Sequence, residues 1–487
     1  MNAFRRMSLA VGATTTKATT ATKTAATEEA DVEPQETQKH ESAHAQSGLF
    51  ESVDFVPPAH TTCYKLWVVC CSVWIMLFIP LSLTAFAMGL RPMRPPTPPH
   101  LTTDPIWLSS ENQPVCQEQF PGHKAATGTV NKRASSILCI FNTSTHLRPY
   151  VSRMVLGYIP GLICKHVLYA SITMPDPEGD LKSSTPEFDM ECGGLVSVKI
   201  LKKRFQHIKV YTVLSANTPT LETTLFTLAS GGLDKLAKLL HEWVVKFSFD
   251  GVFVSWSQPY APDKSRVVFG KLADTFRPKY TLGAILPWMK AELQNYDTVY
   301  VALKVDWIIL KTHGFYPRAG YNIASCPSPF ESTDKRTTIT NVLGDFVDNM
   351  GTHLNLSRVC FSVSFRGTGY KTDAKVISSN MKVLGPGNLN RFTGDDGVIA
   401  YKQVCKFESS STRINAVNQT LVAYEDPRSV SEKVIGTLDF LRKRHGNVPV
   451  DQGFCVGVWD LDLDDYKASC IPKKTWPLLE ALASVLP

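Results

Sequence analysis

Three alternating aspartates near the C-terminus have the clearest metal-ligand spacing in the chain. Asp460, Asp462 and Asp464 form an Asp-x-Asp-x-Asp run, and carboxylates at such alternate positions bind Ca²⁺ in calcium loops. Such a loop also needs a central glycine and a closing glutamate, and neither follows these aspartates. We therefore predict no metal ion and no other cofactor for this chain.

His313 is the other residue whose type suggests chemistry, because an imidazole can serve as a metal ligand or as a general base near neutral pH. A catalytic base is normally oriented by a partner group, and no acidic residue stands next to His313 in the sequence. We therefore interpret His313 as a polar residue that lines a pocket.

Short apolar runs alternate with longer helical patterns from about residue 135 onward, which is typical of βα units that build a parallel sheet. Eight runs are predicted as strands: residues 136–141, 166–174, 209–216, 251–256, 281–288, 305–312, 358–365 and 454–461. They predict an α/β fold, a (β/α)8 TIM barrel. The interval of about 366–424, between the seventh and eighth runs, is too long for an ordinary loop. It should hold a small α+β insertion domain.

Residues 66–90 form an uncharged apolar run, long enough as a helix (roughly 37 Å) to cross a bilayer core of about 30 Å. We predict a single transmembrane helix that acts as a signal anchor, because a cleavable signal peptide is shorter and lies nearer the N-terminus. Residues 1–62 are rich in Thr, Ala, Glu and Gln and are predicted as a disordered cytosolic tail. Residues 91–134 begin with a proline-rich stretch that predicts an extended stalk.

The orientation of this helix is inferred from glycosylation sequons and cysteines. Sequons begin at Asn142, Asn355 and Asn418, all after the predicted span, and nine of the twelve cysteines also follow it. Glycosylated sequons and disulfides belong outside the cytosol. The flanking charges, Lys65 against Arg91 and Arg94, slightly favour the opposite orientation. We predict a single-pass type II membrane protein with an extracellular or luminal ectodomain.

The segment 249–259, FDGVFVSWSQP, resembles the fourth-strand signature of family 18 glycoside hydrolases, the chitinases, whose pattern is Asp-Gly-x-Asp-x-Asp-Trp-Glu-Tyr-Pro. Other segments follow in the order of that family. Residues 138–141 and 164–170 resemble its first two strands, 296–308 the approach to the sixth strand, 397–405 the end of the insertion domain, and 458–465 the eighth strand. The resemblance covers residues 135–475 and implies a chitinase-like barrel there.

The same resemblance implies that the catalytic groups are missing. Members of the family cleave polymers of β-linked N-acetylglucosamine with the substrate's own acetamido group as nucleophile. A glutamic acid protonates the leaving oxygen, and an adjacent aspartate orients the acetamido group. Here the glutamate position is Ser257, the aspartate positions are Phe253 and Ser255, and only Asp250 is retained. A serine hydroxyl cannot replace the acid, because its pKa is far too high for it to donate at neutral pH.

Other parts of the implied site are also altered. The family's Met-x-Tyr-Asp reads Lys311-Thr312-His313-Gly314, its Gly-Gly-Trp reads Ser215-Ala216-Asn217, its Tyr-Gly-Arg reads Arg366-Gly367-Thr368, and Ser144 takes a first-strand aromatic position. Trp256 and Trp459 could stack on a sugar, although Trp256 is read equally well as a core residue. Lys311, His313 and Arg366 in an open pocket would favour an anionic ligand; the alternative is internal pairing with acids such as Asp250.

Two disulfides are also implied by the resemblance: Cys139 with Cys164, and Cys405 with Cys470. Five cysteines after the predicted span remain, namely Cys116, Cys192, Cys326, Cys360 and Cys455. An odd number implies a free thiol or an intermolecular bridge.

These observations predict a non-hydrolytic, membrane-anchored, chitinase-like protein whose ectodomain binds a glycan or a protein. Binding of chito-oligosaccharide is disfavoured by Ser144 and Asn217 at positions that are normally aromatic, so a protein ligand is an equal alternative. The enzymatic alternative is a weakly active or altered-specificity family 18 hydrolase that acts on chitin-type oligosaccharides. The net charge of +7 is not collected into a basic block, so no nucleic-acid partner is predicted.

Overall fold

The computed structural model describes Cys116 and residues 136–149, 152–316, 324, 326, 328–331, 337–350, 356–372, 381–388, 390, 392–406, 414–417, 420–445 and 455–487. The predicted tail, the predicted transmembrane helix at 66–90, and the sequons at Asn355 and Asn418 lie outside the described residues. Apart from Cys116, so does the predicted stalk. Within the described ranges, no helix is long and apolar enough to cross a membrane.

A closed parallel barrel is the centre of the fold. Its strands are β1 (Ser136–Asn142), β2 (His166–Thr173), β4 (Lys209–Ala216), β5 (Gly251–Trp256), β6 (Thr281–Leu286), β7 (Trp307–Leu310), β8 (Val359–Ser364) and β14 (Cys455–Trp459), and β3 (Lys182–Ser183) adds to the edge of β2. The order is β1–β14–β8–β7–β6–β5–β4–β2, and a further β1–β2 pairing closes the circle. The predicted eight-stranded barrel is therefore confirmed, and each predicted run matches one of its strands to within two residues at either end.

Ten helices and several short turns lie in the described ranges. The helices are α1 (Gly194–Arg204), α2 (Pro219–Leu228), α3 (Leu233–Phe247), α4 (Pro262–Phe276), α5 (Lys290–Leu293), α6 (Thr298–Lys304), α7 (Ile339–Met350), α8 (Tyr401–Val404), α9 (Pro427–His445) and α10 (Pro477–Val485). Four of them begin with proline, whose fixed φ and missing N–H suit the first helical position. In α3, Leu236, Leu240 and Val244 are buried at helical spacing, so this stripe packs on the barrel.

Alternate side chains of each barrel strand face opposite sides, as the pleat of a strand requires. One set fills the barrel interior: Leu138, Ile140, Leu168, Tyr211, Val213, Phe253, Ile285, Ile309, Cys360 and Cys455, with Trp307 and Trp459 packed against them. The other set joins the larger core between strands and helices. Whether a residue can reach a ligand at the barrel mouth is therefore decided by its parity along the strand.

A second sheet is built from the interval between β8 and β14. It consists of β9 (Gly367–Lys371), β10 (Gly385–Pro386), β11 (Val398–Ile399), β12 (Ile414–Val417) and β13 (Thr420–Ala423), in the order β10–β9–β13–β12, with β11 paired to β9. All of its pairings are antiparallel. This inserted sheet lies within residues 366–424, the interval that is too long for an ordinary loop.

Four disulfides hold these elements. Both pairs implied by the resemblance are present, Cys139–Cys164 and Cys405–Cys470. Two further pairs, Cys116–Cys192 and Cys360–Cys455, use four of the cysteines that the sequence left unassigned. Cys326 is the one cysteine without a disulfide among the described residues.

Candidate functional site

Asp250, the one retained acid of the fourth-strand signature, lies just before β5 at the N-terminal end of the barrel. Its Oδ2 accepts the Val210 N–H at 2.9 Å and lies 2.8 Å from Lys202 Nζ, and Lys209 Nζ is 3.3 Å from Oδ1. These contacts tie β5 to β4 and α1. Because barrel enzymes act at the C-terminal face, Asp250 has a structural role. It is also already paired, so it is not the internal partner of cations at the mouth.

Phe253 fills the barrel interior where the resemblance places the first aspartate. The side chain is fully buried, and its ring centroid lies 5.3 Å from that of Tyr211. Opposite stands Gly283, where an added Cβ would lie 2.2 Å from Phe253 Cε1. The aromatic ring and the glycine are therefore complementary, and no room is left between them for a ligand.

Ser255 and Ser257, at the other two signature positions, share one neutral hydrogen-bond network. Both hydroxyls donate to Asn217 Oδ1, at 3.2 and 3.0 Å, and Asn217 Nδ2 donates to Ser215 Oγ at 2.8 Å. The C-terminal ends of β4 and β5 thus present hydroxyls and one amide. These groups can hydrogen-bond a ligand, but none can act as an acid near neutral pH.

Lys311 faces the barrel mouth two residues after the inward-facing Ile309. Its N–H donates to Leu286 O at 3.0 Å, which extends the pairing of β7 with β6. Burial lowers the pKa of Lys311, and nearby Glu292 opposes that shift. Burial in turn raises the pKa of Glu292, and Lys311 opposes this shift while Glu222 adds to it. Glu292 therefore interacts electrostatically with both Lys311 and Glu222.

His313 lies three residues beyond the end of β7 and contacts Trp459. The ring centroids are 4.6 Å apart at an interplanar angle of 40°, and His313 Nδ1 lies 2.6 Å from Ser362 Oγ. Burial lowers the pKa of His313 to about 3, helped by the charges of Lys311 and Lys433. The imidazole is therefore uncharged at neutral pH and lines the mouth as a polar residue.

Gly314 and Arg366 lie beyond the strand ends. Gly314 has a φ of +69°, which favours glycine, and its N–H donates to Ser328 Oγ at 3.0 Å. Arg366 is exposed, and its backbone N–H donates to Ser364 Oγ at 3.1 Å. With His313 uncharged and Arg366 exposed, Lys311 is the one cation of the three that lies inside the mouth.

The two tryptophans, Trp256 and Trp459, lie on opposite faces of the barrel wall. Trp459 is partly exposed and belongs to the inner face of the barrel. Trp256 is 1 % exposed and belongs to the outer core, where its carbonyl accepts the Tyr296 hydroxyl. Of the two readings of Trp256, the structure favours the core residue, because its parity on β5 is opposite to that of Phe253 and Ser255.

Sequence reasoning missed two acids near the mouth. Glu222 is buried on α2 and accepts the Tyr260 hydroxyl at 3.3 Å, and Glu292 lies on α5. Both follow soon after the C-terminal end of a barrel strand. That position was the available signal, since loops there carry the functional groups of barrel enzymes.

The eighth-strand aspartates are engaged by the protein itself. Asp460 Oδ2 accepts the Ser364 hydroxyl at 2.5 Å, and Asp462 pairs with Arg148 Nε at 2.9 Å. Asp464 accepts the N–H groups of Leu478 and Leu479 at the start of α10. This run therefore joins the end of the chain to the barrel.

The sequence comparisons identify one family. Residues 143–439, more than half of the chain, match the model of glycosyl hydrolases family 18. The chain is 22% identical over 408 residues to probable chitinase 2 of Drosophila melanogaster, covering 75% of this chain and 79% of that protein. It is 22% identical over 392 residues to the oviduct-specific glycoprotein of Mesocricetus auratus, covering 72% and 54%.

Solved structures show the same fold. The Group IV chitinase of Ostrinia furnacalis, in complex with allosamidin, is similar with a TM-score of 0.63 at 18% identity, covering 72% of this chain and 98% of that one. Human YKL-39, described as a pseudo-chitinase with retained chitooligosaccharide binding, has a TM-score of 0.61 at 17% identity, covering 72% and 99%. The closed eight-stranded barrel, the signature on β5 and the matched residues together place this chain in glycoside hydrolase family 18.

Proposed function

We propose that this chain is a non-hydrolytic member of its family, and that its barrel is a binding domain held at a membrane. The observation that carries the proposal is the neutral network in which Ser255 and Ser257, at positions where the resemblance places catalytic carboxylates, both donate to Asn217. Family hydrolysis needs an acid there to protonate the leaving oxygen, and general acid help contributes about 10²- to 10⁴-fold in rate. Hydroxyls that donate to an amide cannot supply that proton.

Lys311 supports the absence of hydrolysis independently. Cleavage by this family passes through a cationic sugar intermediate, which negative charge in the site stabilises. Lys311 instead brings an ammonium group into the barrel mouth, and the interaction of like charges is strong where water is excluded. Both the lost carboxylates and the gained lysine therefore raise the barrier to hydrolysis.

A ligand is proposed to dock on the C-terminal face of the barrel. Human YKL-39, with the same fold, is described as a pseudo-chitinase with retained chitooligosaccharide binding, so binding without hydrolysis has a precedent in this architecture. The amide of Asn217 and the carboxylates of Glu222 and Glu292 can bind sugar hydroxyls. A glycan is therefore the first candidate class, and a protein that contacts the same face is the second.

Membrane anchoring through residues 66–90, in a type II orientation, completes the proposal. The chain has four disulfides, and disulfides form and persist mainly in oxidising compartments outside the cytosol. Asn142, the described sequon asparagine, is exposed at the end of β1. Both features support an extracellular or luminal location of the barrel.

The test is hydrolysis of chromogenic chito-oligosaccharides by the full-length protein in detergent, beside an active family 18 chitinase at equal concentration. We expect no turnover above the buffer blank, and none after Ser257→Glu, because Phe253 and Ser255 still lack carboxylates. Turnover within about tenfold of the active enzyme would overturn the proposal. Weaker turnover that Glu292→Gln or Glu222→Gln abolishes would establish the alternative of a hydrolase with altered chemistry.

A further inference from the structure

The N-terminal end of the barrel, opposite the mouth, has a cluster of cations. Strands run from this end to the mouth and helices return to it, so the last turns of α1 and α3 lie near the first residues of β2 and β4. Lys165 precedes β2, Lys209 begins β4, and Lys246 lies in the last turn of α3. The C-terminal half of α1 adds Lys199, Lys202, Lys203 and Arg204. These seven residues are called the basic face.

Hydrogen bonds and ion pairs hold the elements of the basic face together. Lys202 Nζ donates to Ser248 O at 2.9 Å, which fixes the end of α1 against the end of α3. The Lys209 N–H donates to Lys165 O at 2.9 Å, so these two lysines lie on adjacent segments. Lys202 and Lys209 also share one acid, Asp250, with Nζ to carboxylate distances of 2.8 and 3.3 Å. The cations therefore form one continuous patch.

The negative groups at this end of the barrel do not balance the basic face. Among the described residues of α1, α3 and the starts of β2, β4 and β5, the nearby acids are Asp250 and Glu242. The C-termini of α1 and α3 each add about half a negative charge, which leaves an excess of roughly four positive charges. Charges interact over about 8 Å at physiological ionic strength, and Lys199 and Lys203 are one helical turn apart. A polyanion would therefore meet several cations at once.

The basic face is accessible to a large partner. Four of its side chains are exposed, those of Lys199, Lys203, Lys209 and Lys246. Ring contacts position two of the cations: Lys246 Nζ lies 5.2 Å from the ring centroid of Phe247, and Arg204 Cζ lies 5.3 Å from that of Phe205. Asn142, at the C-terminal end of β1, is at the mouth end of the barrel. A glycan on Asn142 would therefore leave the basic face uncovered.

We infer that the basic face binds a sulfated polysaccharide. Its cations come from four elements and form a surface, which suits a chain of closely spaced anions better than one small anion. The four disulfides favour a compartment outside the cytosol, where sulfated polysaccharides are the abundant polyanions and nucleic acids are not. This inference goes beyond the proposed function, because it concerns the end of the barrel opposite the mouth. It shares with that proposal only the location outside the cytosol.

The experiment is calorimetric titration of the full-length protein in detergent with a heparin dodecasaccharide at several NaCl concentrations. Binding should weaken steeply with salt, because the cations displace counterions from the polyanion. Lys199→Glu/Lys203→Glu should weaken the affinity at least about tenfold and make it less dependent on salt. Lys473→Glu/Lys474→Glu is the matched control. These lysines are also exposed but follow the C-terminal end of β14, so this variant should bind heparin like the wild type.

Three outcomes would overturn the inference. One is an unchanged heparin affinity in Lys199→Glu/Lys203→Glu while its thermal unfolding shows a folded barrel. Another is loss of heparin binding in Lys311→Ala, which would move the anion site to the mouth. The third is no measurable heparin binding by the wild type; binding of phosphatidylserine vesicles in its place would assign the basic face to a lipid surface. Turnover of chito-oligosaccharides would refute the proposed function and leave the heparin result unaffected, so the two failures are distinguishable.

Discussion

Phe253 and Gly283 form one packing unit at the scale of single residues. The buried ring of Phe253 lies against the backbone of Gly283 on the neighbouring strand. Any residue other than glycine at position 283 would place its Cβ about 2.2 Å from Phe253 Cε1, which is too close. The aromatic ring at position 253, where the resemblance places an aspartate, is thus matched by its surroundings. It is part of the core, so an aspartate cannot be accommodated there without changes at its neighbours.

We predict that Phe253→Asp destabilises the barrel by about 3–5 kcal/mol, because it removes a buried aromatic ring and buries a carboxyl group without a partner. Phe253→Leu, which keeps an apolar side chain, should cost less, roughly 1–2 kcal/mol. Urea unfolding followed by tryptophan fluorescence measures both. Equal stability of Phe253→Asp and wild type would show that the interior has room for a carboxyl group and water.

At the scale of elements, a disulfide inside the barrel joins two neighbouring strands, β8 and β14. Cys360 on β8 and Cys455 on β14 are direct partners in the strand register and face the barrel interior. The inserted sheet lies between them in the chain. This bond therefore fixes the two strands from which the insertion departs and to which it returns.

We predict that Cys360→Ala/Cys455→Ala lowers the free energy of unfolding by about 2–5 kcal/mol, the usual cost of removing a native disulfide. Cys116→Ala/Cys192→Ala is the matched control. The sequence separations are 95 and 76 residues, so the chain-entropy contributions are nearly equal. Because Cys116 is exposed and Cys360 is buried in the barrel, the first variant should lose more stability. An equal loss in both would mean that chain entropy alone decides.

Arg148 connects separate parts of the fold at the scale of the whole molecule. Its Nε lies 2.9 Å from Asp462 after β14, and its Nη1 lies 3.7 Å from Asp395 beside β11 of the inserted sheet. Close by, the Ser152 hydroxyl donates to Phe392 O at 2.5 Å. The segment after β1 thus holds the inserted sheet and the C-terminal part of the chain together.

Stability should depend on pH through Asp464, whose pKa burial raises to about 7. The unfolded carboxyl titrates near about 3.9, so the folded state binds more protons between these values and stability falls as pH rises through that window. The slope is at most about 1.4 kcal/mol per pH unit. Burial raises the pKa of Asp462 to about 7 as well, so Asp464→Asn should reduce this dependence in thermal melts from about pH 5 to pH 8 and leave the part due to Asp462. A wild-type curve parallel to that of Asp464→Asn would contradict the prediction.

Topology is the second prediction at this scale. If the barrel lies outside the cytosol, Asn142 carries a glycan, because it is exposed at the end of β1. Endoglycosidase should lower the apparent mass of the protein expressed in eukaryotic cells, and Asn142→Gln should remove one step of that shift. Protease digestion of the barrel from the cytosolic side of intact vesicles would reverse the proposed orientation.

Much of the fold was determined by the sequence. Parallel barrel strands are buried on both faces, so each reads as a short apolar run, and the eight runs were identified correctly without knowledge of their partners. The basis of the proposed lack of hydrolysis was also visible there, because Ser257, where the resemblance places the catalytic glutamate, lacks an acidic group in any conformation. The resemblance also implied two of the disulfides, Cys139–Cys164 and Cys405–Cys470, and both are present.

The tertiary structure decided which residues meet. Alternation along β5 turns Trp256 outward, and the closure of the barrel brings Trp459 against His313 although 145 positions of chain separate them. Closure also pairs Cys360 with Cys455 and leaves Asp250 at the opposite end from the mouth. Residue types and periods are local properties, whereas these contacts depend on strand register and on the pleat, where one step of parity moves a side chain from the interior to the outer core.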